Sequence, residues 1–414
     1  MKDCKKTLIY QMYPSSWGTF RKMSEHLDRI AELKPDYIWL SPCFKSPWKD
    51  GGYDITDYYE IDPRFGTMKD FDNFVKKANK MGAGVLMDLV MNHTSTECEW
   101  FKKSEDCDPF YKGFYCWEYQ DLGWNNLFDG KSAFKWSEKR CKYYLHLFHE
   151  SQADLNWTNR SVLETFQKII DFWTLGHGVA GFRLDASQFL WKEMSKTFVP
   201  KFAGATAGFL KYYQKPETLE ILEKLFEGRG LFIFAEAGFL SRKKMKELAG
   251  KNRPIAAAEN SMLLSIASRS KDPLGTLKKM WKKWGEEPEF VLATESHDLP
   301  RATSALEASP KRILRAMFRS PATIICLYQG QELGLENPKL SDNIKNYQDI
   351  QTIMRYDSLV KKGVGPKKAI EKLKPTAREN ARVPIDVQLY EEQRKNSKSI
   401  FSFTVNKLKR WRQC

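Results

Sequence analysis

The sequence predicts an α/β protein folded as a (β/α)8 TIM barrel, with a small inserted domain after the third strand. Three observations carry this. Eight short runs rich in β-branched and aromatic residues recur along the chain. Segments with helical periodicity lie between them, the alternation expected of a parallel sheet. The 414 residues are enough for a barrel of roughly 250 residues plus an excursion.

The strand candidates, in order, are Leu8–Tyr13, Tyr37–Ser41, Gly84–Val90, Gly181–Asp185, Leu231–Glu236, Ala256–Leu264, Phe290–Ser296 and Thr323–Tyr328. Between them the helical period is read over Met23–Leu33, Met68–Lys80, Val162–Leu175, Ser241–Leu248, Asp272–Trp284 and Lys311–Arg319. The rhythm breaks from about Thr94 to Trp157, where Gly, Pro, Cys and aromatic residues crowd together. Residues 94–157 are therefore assigned to the inserted domain, and residues 1–93 and 158–414 to the barrel. After Tyr328 the chain turns polar and Lys-rich, and Ser399–Arg412 is expected to be a closing helix. No repeat or low-complexity tract interrupts this plan.

Composition narrows the function class. The chain is 42% hydrophobic and 14% aromatic, which excludes a disordered or fibrous class. The net charge of +15 raises nucleic acid and anionic membranes as partners. The basic runs, such as Lys243–Lys246 and Lys407–Arg412, read as solvated helix faces with acids interspersed, so neither partner is expected. No signal peptide and no membrane-spanning run is visible, so the expected location is cytoplasmic. The eight cysteines include no CxxC pair, which argues against zinc and for reduced thiols.

Barrel enzymes carry reacting groups at the C-terminal ends of their strands. Four candidate strands end in such groups: Asp88 with Asn92 and His93, Arg183 with Asp185, Glu236, and His297 with Asp298. Retaining glycoside hydrolysis needs two carboxyls about 5–5.5 Å apart, one attacking the anomeric carbon and one alternating between acid and base. Asp185 and Glu236 end successive strands and could form that pair. Arg183, two residues before Asp185, faces the same side of its strand and can hold the nucleophile ionised. Any one of these groups alone would pass for a loop cap or a structural ion pair; their joint appearance at several strand ends is what points to chemistry.

Several motifs together resemble the α-amylase superfamily, glycoside hydrolase family 13, over nearly the whole chain. Asp88-Leu-Val-Met-Asn-His93, Gly181-Phe-Arg-Leu-Asp185, Phe234-Ala-Glu236 and Ser296-His-Asp298 are similar to its four conserved regions, in order. Gln152-Ala-Asp-Leu-Asn156, Gly52-Tyr-Asp-Ile-Thr-Asp-Tyr58 and Glu379-Asn-Ala-Arg-Val-Pro384 resemble segments of its oligo-1,6-glucosidase and α-glucosidase subgroup. The resemblance implies Asp185 as nucleophile, Glu236 as acid/base and Asp298 as transition-state stabiliser. It implies contacts to the glucose at subsite −1 from His93, Arg183 and His297, with Tyr53 as stacking platform and Phe148 and Gln152 lining the pocket. Asp50 and Arg382 would pair to close its non-reducing end, which favours exo release of single glucosyl units from short oligosaccharides. Ala186, after the nucleophile, tilts the expected linkage toward α-1,4 or broad use.

The sequence departs from that family in three places. Ser15-Ser-Trp-Gly-Thr-Phe20 stands where the family carries an Asp-rich metal loop, so no metal and no cofactor is expected. Region four reads Glu295-Ser-His-Asp-Leu-Pro-Arg301, and the loop after Ala-Arg-Val-Pro is cut to Ile385-Asp386. No segment up to Cys414 is expected to form the family's C-terminal β-sandwich, as in a naturally short form or a truncated chain, and a homodimer is left open. Glucosyl transfer or isomerisation would use the same covalent intermediate, and a non-catalytic amylase-like protein is the reading from another class; this chain keeps all three acids.

Overall fold

In the computed structural model, residues 6–196, 208–238, 241–250, 253–260 and 262–413 are described. Eight strands close into a barrel: β1 (Thr7–Met12), β2 (Tyr37–Leu40), β3 (Gly84–Val90), β4 (Gly181–Asp185), β5 (Phe232–Glu236), β6 (Ala257–Glu259), β7 (Phe290–Ala293) and β8 (Ile324–Tyr328). Every neighbouring pair is parallel and follows chain order, with β8 closing on β1.

The two faces of each strand alternate, and that alternation sorts the chemistry. Inward positions low in the barrel are apolar: Ile9, Trp39, Leu86, Phe234, Ala257 and Val291 form one buried plug. Two residues further along, β3, β5 and β6 carry Asp88, Glu236 and Glu259, with Arg183 of β4 level with Asp88, and Glu236 level with Glu259. The outward faces pack on the helices around Leu27, Phe74, Phe166, Leu277 and Leu314, all buried. Gly181 sits where β4 crosses β5 most closely; a Cβ there would lie 1.8 Å from the Phe232 carbonyl oxygen.

Side-chain caps set the start of several helices. Thr67 and Asp70 form a reciprocal capping box for Met68–Lys80, and Asp272 caps Pro273–Trp284. The expected strand at Ala256–Leu264 is shorter than its apolar run. It ends at Glu259, and Met262–Ala267 is helical, with the Met262 N–H donating to the Asn260 side chain. The polar region after Tyr328 holds helices Ile350–Lys361, Pro366–Leu373 and Val387–Lys395 ahead of the closing helix Ile400–Gln413. Ile350–Lys361 buries Thr352 alone, so it has almost no apolar stripe to betray it. Pro216–Phe226, also unpredicted, packs Ile221, Leu222, Leu225 and Phe226 inward behind an N-terminal Pro.

Between β3 and β4 the chain makes its excursion. Short antiparallel strands His93–Ser95 and Gln152–Asp154 tie its two ends together. Between them lie helix Glu99–Glu105 and a three-stranded sheet of Trp117–Glu118, Lys142–Leu145 and Phe134–Ser137. Its apolar residues Leu122, Trp124, Phe134 and Leu147 pack against Ala186, Phe189 and Tyr212 just beyond β4. The insertion thus stands over the C-terminal mouth of the barrel.

The charge is less evenly mixed than the sequence suggests. Helices Pro273–Trp284, Pro310–Met317 and Ile400–Gln413 contain no acidic residue, and the third packs on the second. The expectation of interspersed acids holds for Lys244, paired with Glu247, and for Lys246, paired with Glu287. Within Lys407–Arg412 it holds for Arg412, paired with Asp36, and fails for Lys407 and Arg410, where linear sequence hides which helices become neighbours.

Candidate active site

At the strand ends one arginine organises three carboxylates. Arg183, buried at the top of β4, places Nη1 2.9 Å from Asp88 Oδ1 and 2.5 Å from Asp185 Oδ1, and Nη2 3.0 Å from Glu236 Oε2. The guanidinium also lies over the Trp39 ring, 5.3 Å from its centroid. A planar fork with fixed donors is suited to this task, because it holds Asp185 and Glu236 in one geometry while neutralising part of their charge. Glu236 further accepts from the Ala186 N–H at 3.3 Å, and Ala186 itself has left-handed backbone, φ 46°.

Burial pushes the Asp185 carboxyl well above its ordinary range; Arg183 opposes this, and the nearby Glu236 and Asp88 add to it. Asp88 shifts up for the same first reason, also against Arg183. Glu259 rises to about 7, by burial first and with Glu236 among the neighbouring charges. Asp88, Asp185 and Glu259 around one guanidinium cannot all ionise cheaply.

Asp298 behaves oppositely. Burial would raise it, but Arg378, His297 and Arg382 together hold it well below the usual carboxylate range. Arg378 Nε lies 3.1 Å and Arg382 Nη2 2.9 Å from Asp298 Oδ1, and His297 Nε2 lies 3.2 Å from Oδ2. The His297 ring is stacked between Tyr13 and Tyr53, with Gln11 Nε2 2.8 Å from its Nδ1. Asp298 is thus a fixed negative charge facing the cleft.

The cleft is a cavity of about 510 Å³. Of the residues read from the sequence, Asp50, Tyr53, His93, Phe148, Asp185, Glu236 and Asp298 line it. Arg183, His297, Gln152 and Arg382 do not; each stands one layer behind, its donors engaged by lining residues. Gln152 Nε2 reaches Asp50 Oδ2 at 3.0 Å and His93 Nε2 at 3.1 Å. Burial lowers His93 to about 4, which leaves a neutral imidazole to exchange hydrogen bonds with a hydroxyl. Burial raises Asp50 to about 6, opposed by Arg378.

The expected Asp50–Arg382 pair is not formed. Asp50 pairs instead with Arg378, Nη1 to Oδ1 at 3.3 Å, while Arg382 spans Asp298 and Asp349 and donates from Nε to the His297 carbonyl. Asp349, the N-cap of Ile350–Lys361, faces both arginines, 3.3 Å from Arg378 Nη1 and 3.7 Å from Arg382 Nη1, and of the two Arg378 is the one that also reaches Asp50. Arg378 lines the cavity and was missed by sequence reading. The signal available was its place four residues before Arg382. Phe128, Gln188, Phe189, Phe209, Met262 and Gln351 also line the cleft, and nothing in their local sequence distinguishes them from core residues.

The departures from the family pattern have structural reasons. Glu295 is buried and bonded to the Arg301 guanidinium at 3.0 Å and to the Ala302 N–H, so it braces the turn after β7. Asp386 caps Val387–Lys395 directly, so the chain passes from Ile385 straight into a helix. The turn Pro14–Trp17 presents hydroxyls and no carboxylate, a donor set that does not suit a divalent cation.

Comparison with known proteins agrees with this geometry. The alpha-amylase catalytic-domain model matches residues 10–238. The chain is 32% identical over 425 residues to a trehalose-6-phosphate hydrolase of Bacillus subtilis, covering 92% of this chain and 73% of that one. It is 32% identical over 423 residues to an oligo-1,6-glucosidase of Parageobacillus thermoglucosidasius, covering 92% and 74%. The solved trehalose-6-phosphate hydrolase of Bacillus licheniformis matches all of this chain and 84% of its own, with a TM-score of 0.87 at 29% identity. The isomaltulose synthase of Erwinia rhapontici matches 99% of this chain and 84% of its own, with a TM-score of 0.86 at 26% identity. With the barrel, the strand-end acids and these matches in agreement, the chain belongs to the α-amylase family of glycoside hydrolases.

Proposed function

We propose that the protein is a retaining, exo-acting α-glucosidase that releases glucose from the non-reducing end of short α-glucosides. The observation that carries this reading is the bridge from one Arg183 guanidinium to Asp185 and Glu236 beneath a single cleft. Asp185 Oδ attacks the anomeric carbon while Glu236 passes its proton to the glycosidic oxygen; the C–O bond breaks and the aglycone leaves. Glu236, now a base, takes a proton from water. That water attacks the same carbon from the opposite face to Asp185, and the ester to Asp185 breaks. Asp298, held ionised, faces the positive character that develops at the ring. The Asp50–Arg378 pair walls off the far end, so that one glucosyl ring fits beyond the scissile bond.

The test is chemical rescue. Glu236→Ala should lose most hydrolysis of maltose, retain attack on p-nitrophenyl α-glucoside, whose leaving group needs little protonation, and yield α-glucosyl azide when azide is added. A β-glucosyl azide from this variant, or no rescue at all, would assign Glu236 another role. Product analysis on maltose and sucrose separates hydrolysis from transfer, since only transfer yields new disaccharides.

A further inference from the structure

On the flank of the barrel, between helices Pro273–Trp284 and Pro310–Met317, lies a groove of about 570 Å³ that the catalytic scheme does not use. Its walls carry Lys278, Lys282, Arg312, Arg315 and Arg319, against one acid, Glu286. All five cations are exposed, and none is ion-paired among the described residues. The floor includes Trp281, buried, with its indole N–H lacking a partner. The cleft residues sit at the C-terminal ends of the strands, whereas the segments that end this groove, Glu286 and Ser320-Pro321, lead into the N-terminal ends of β7 and β8.

Cations near helix C-termini have an ordinary explanation, since they offset the helix dipole. The magnitude decides against it here. Each helix end carries roughly half a negative charge, so about one cation would neutralise both. Glu286 accounts for a second. The remainder is left facing itself, and the adjoining closing helix adds more of the same sign: Lys407 is lowered, by what burial it has first and then by Arg410, Arg315 and Arg319. The groove offers donors and positive charge with almost nothing to receive them, which is the complement of a ligand made of acceptors and negative charge. Its size suits a small molecule, and no large aromatic side chain stands exposed on these three helices to stack on a base.

We propose that this groove binds a soluble ligand carrying clustered phosphate groups, at a site separate from the glucoside cleft. Inorganic tripolyphosphate is the probe, titrated calorimetrically into the full chain. The expected result is saturable one-to-one binding that weakens at least tenfold in Lys278→Glu/Arg315→Glu, with p-nitrophenyl α-glucoside hydrolysis unchanged. A second variant, Lys282→Ala/Arg319→Ala, makes a smaller change in charge and should weaken binding in the same direction. Binding that is indifferent to both variants would overturn the proposal. So would the absence of saturable tripolyphosphate binding from a protein that instead takes up phosphatidylinositol-bisphosphate vesicles or an oligonucleotide, because the partner would then be a surface or a polymer.

Discussion

Arg183 and Arg378 do comparable work at opposite ends of the cleft, but only one of them was legible in the sequence. Arg183 stands two residues from Asp185 on a strand, and the period of two makes their shared direction a certainty once the strand is granted. Arg378 acts on Asp50, more than three hundred residues away, and no local pattern encodes that contact. The same holds for the convergence of Arg378 and Arg382 on Asp298 and Asp349, which depends on where distant segments end up. Arg378→Gln should raise KM for maltose by about tenfold to a hundredfold, the cost of one charge-assisted hydrogen bond to Asp50 in a buried site, and should lower kcat as well because Arg378 also pairs with Asp298. Arg382→Gln removes contacts to Asp298 and the His297 carbonyl but none to Asp50, and should fall mainly on kcat. Steady-state kinetics of the two variants side by side checks this, and an equal split between KM and kcat in both would undo the distinction drawn between them.

At the level of elements, β4 was read correctly to the residue because its ends coincide with a glycine and a charged group, Gly181 and Asp185. β6 was overrun because Ala, Met and Leu continue past the strand, and apolar character alone does not separate a strand from the helix that follows. The three helices between β8 and the closing helix lack that signal for the converse reason: they expose most of their surface and rest on caps and contacts to neighbours. Gly181 shows how tightly β4 is fitted. Gly181→Ala would drive a methyl group into the Phe232 carbonyl, so β4 and β5 must separate. The expected cost is about 1–3 kcal/mol or more. Activity should fall along with it, since those strands carry Asp185 and Glu236. Thermal unfolding together with kcat tests this; a variant of unchanged stability and activity would mean that the two strands are not so closely packed.

Over the whole molecule, burying carboxyls at the mouth leaves a mark on stability against pH. Glu259 rises to about 7, and Glu332, buried and bonded to the Tyr10 hydroxyl, also to about 7, in each case by burial first. Their folded values lie above the unfolded value near 4.5, so between roughly pH 4.5 and 7 the native state holds protons that the unfolded chain has released. Stability from these groups is therefore fully present below that window and is lost as pH rises through it. His93, lowered to about 4, has the opposite slope between about pH 4 and 6.5. Comparing Glu259→Gln with the parent cancels every other group: the variant should gain stability relative to the parent on going from pH 5 to pH 8, by a few kcal/mol at most. Melting temperatures at the two pH values read this directly, and a difference that stays constant with pH would place the titration elsewhere. The barrel and its strand-end acids were legible from sequence because they are written in short motifs; the acid-free flank was not, since it exists only once three distant helices lie side by side. The central claim concerns the bridge from Arg183 to Asp185 and Glu236, and proton NMR of the first-formed glucose from p-nitrophenyl α-glucoside, whose aglycone adds no second sugar, tests it most directly. The account predicts α-glucose released ahead of mutarotation, and none from Asp185→Asn; β-glucose as the first product, or undiminished release by the variant, would contradict it.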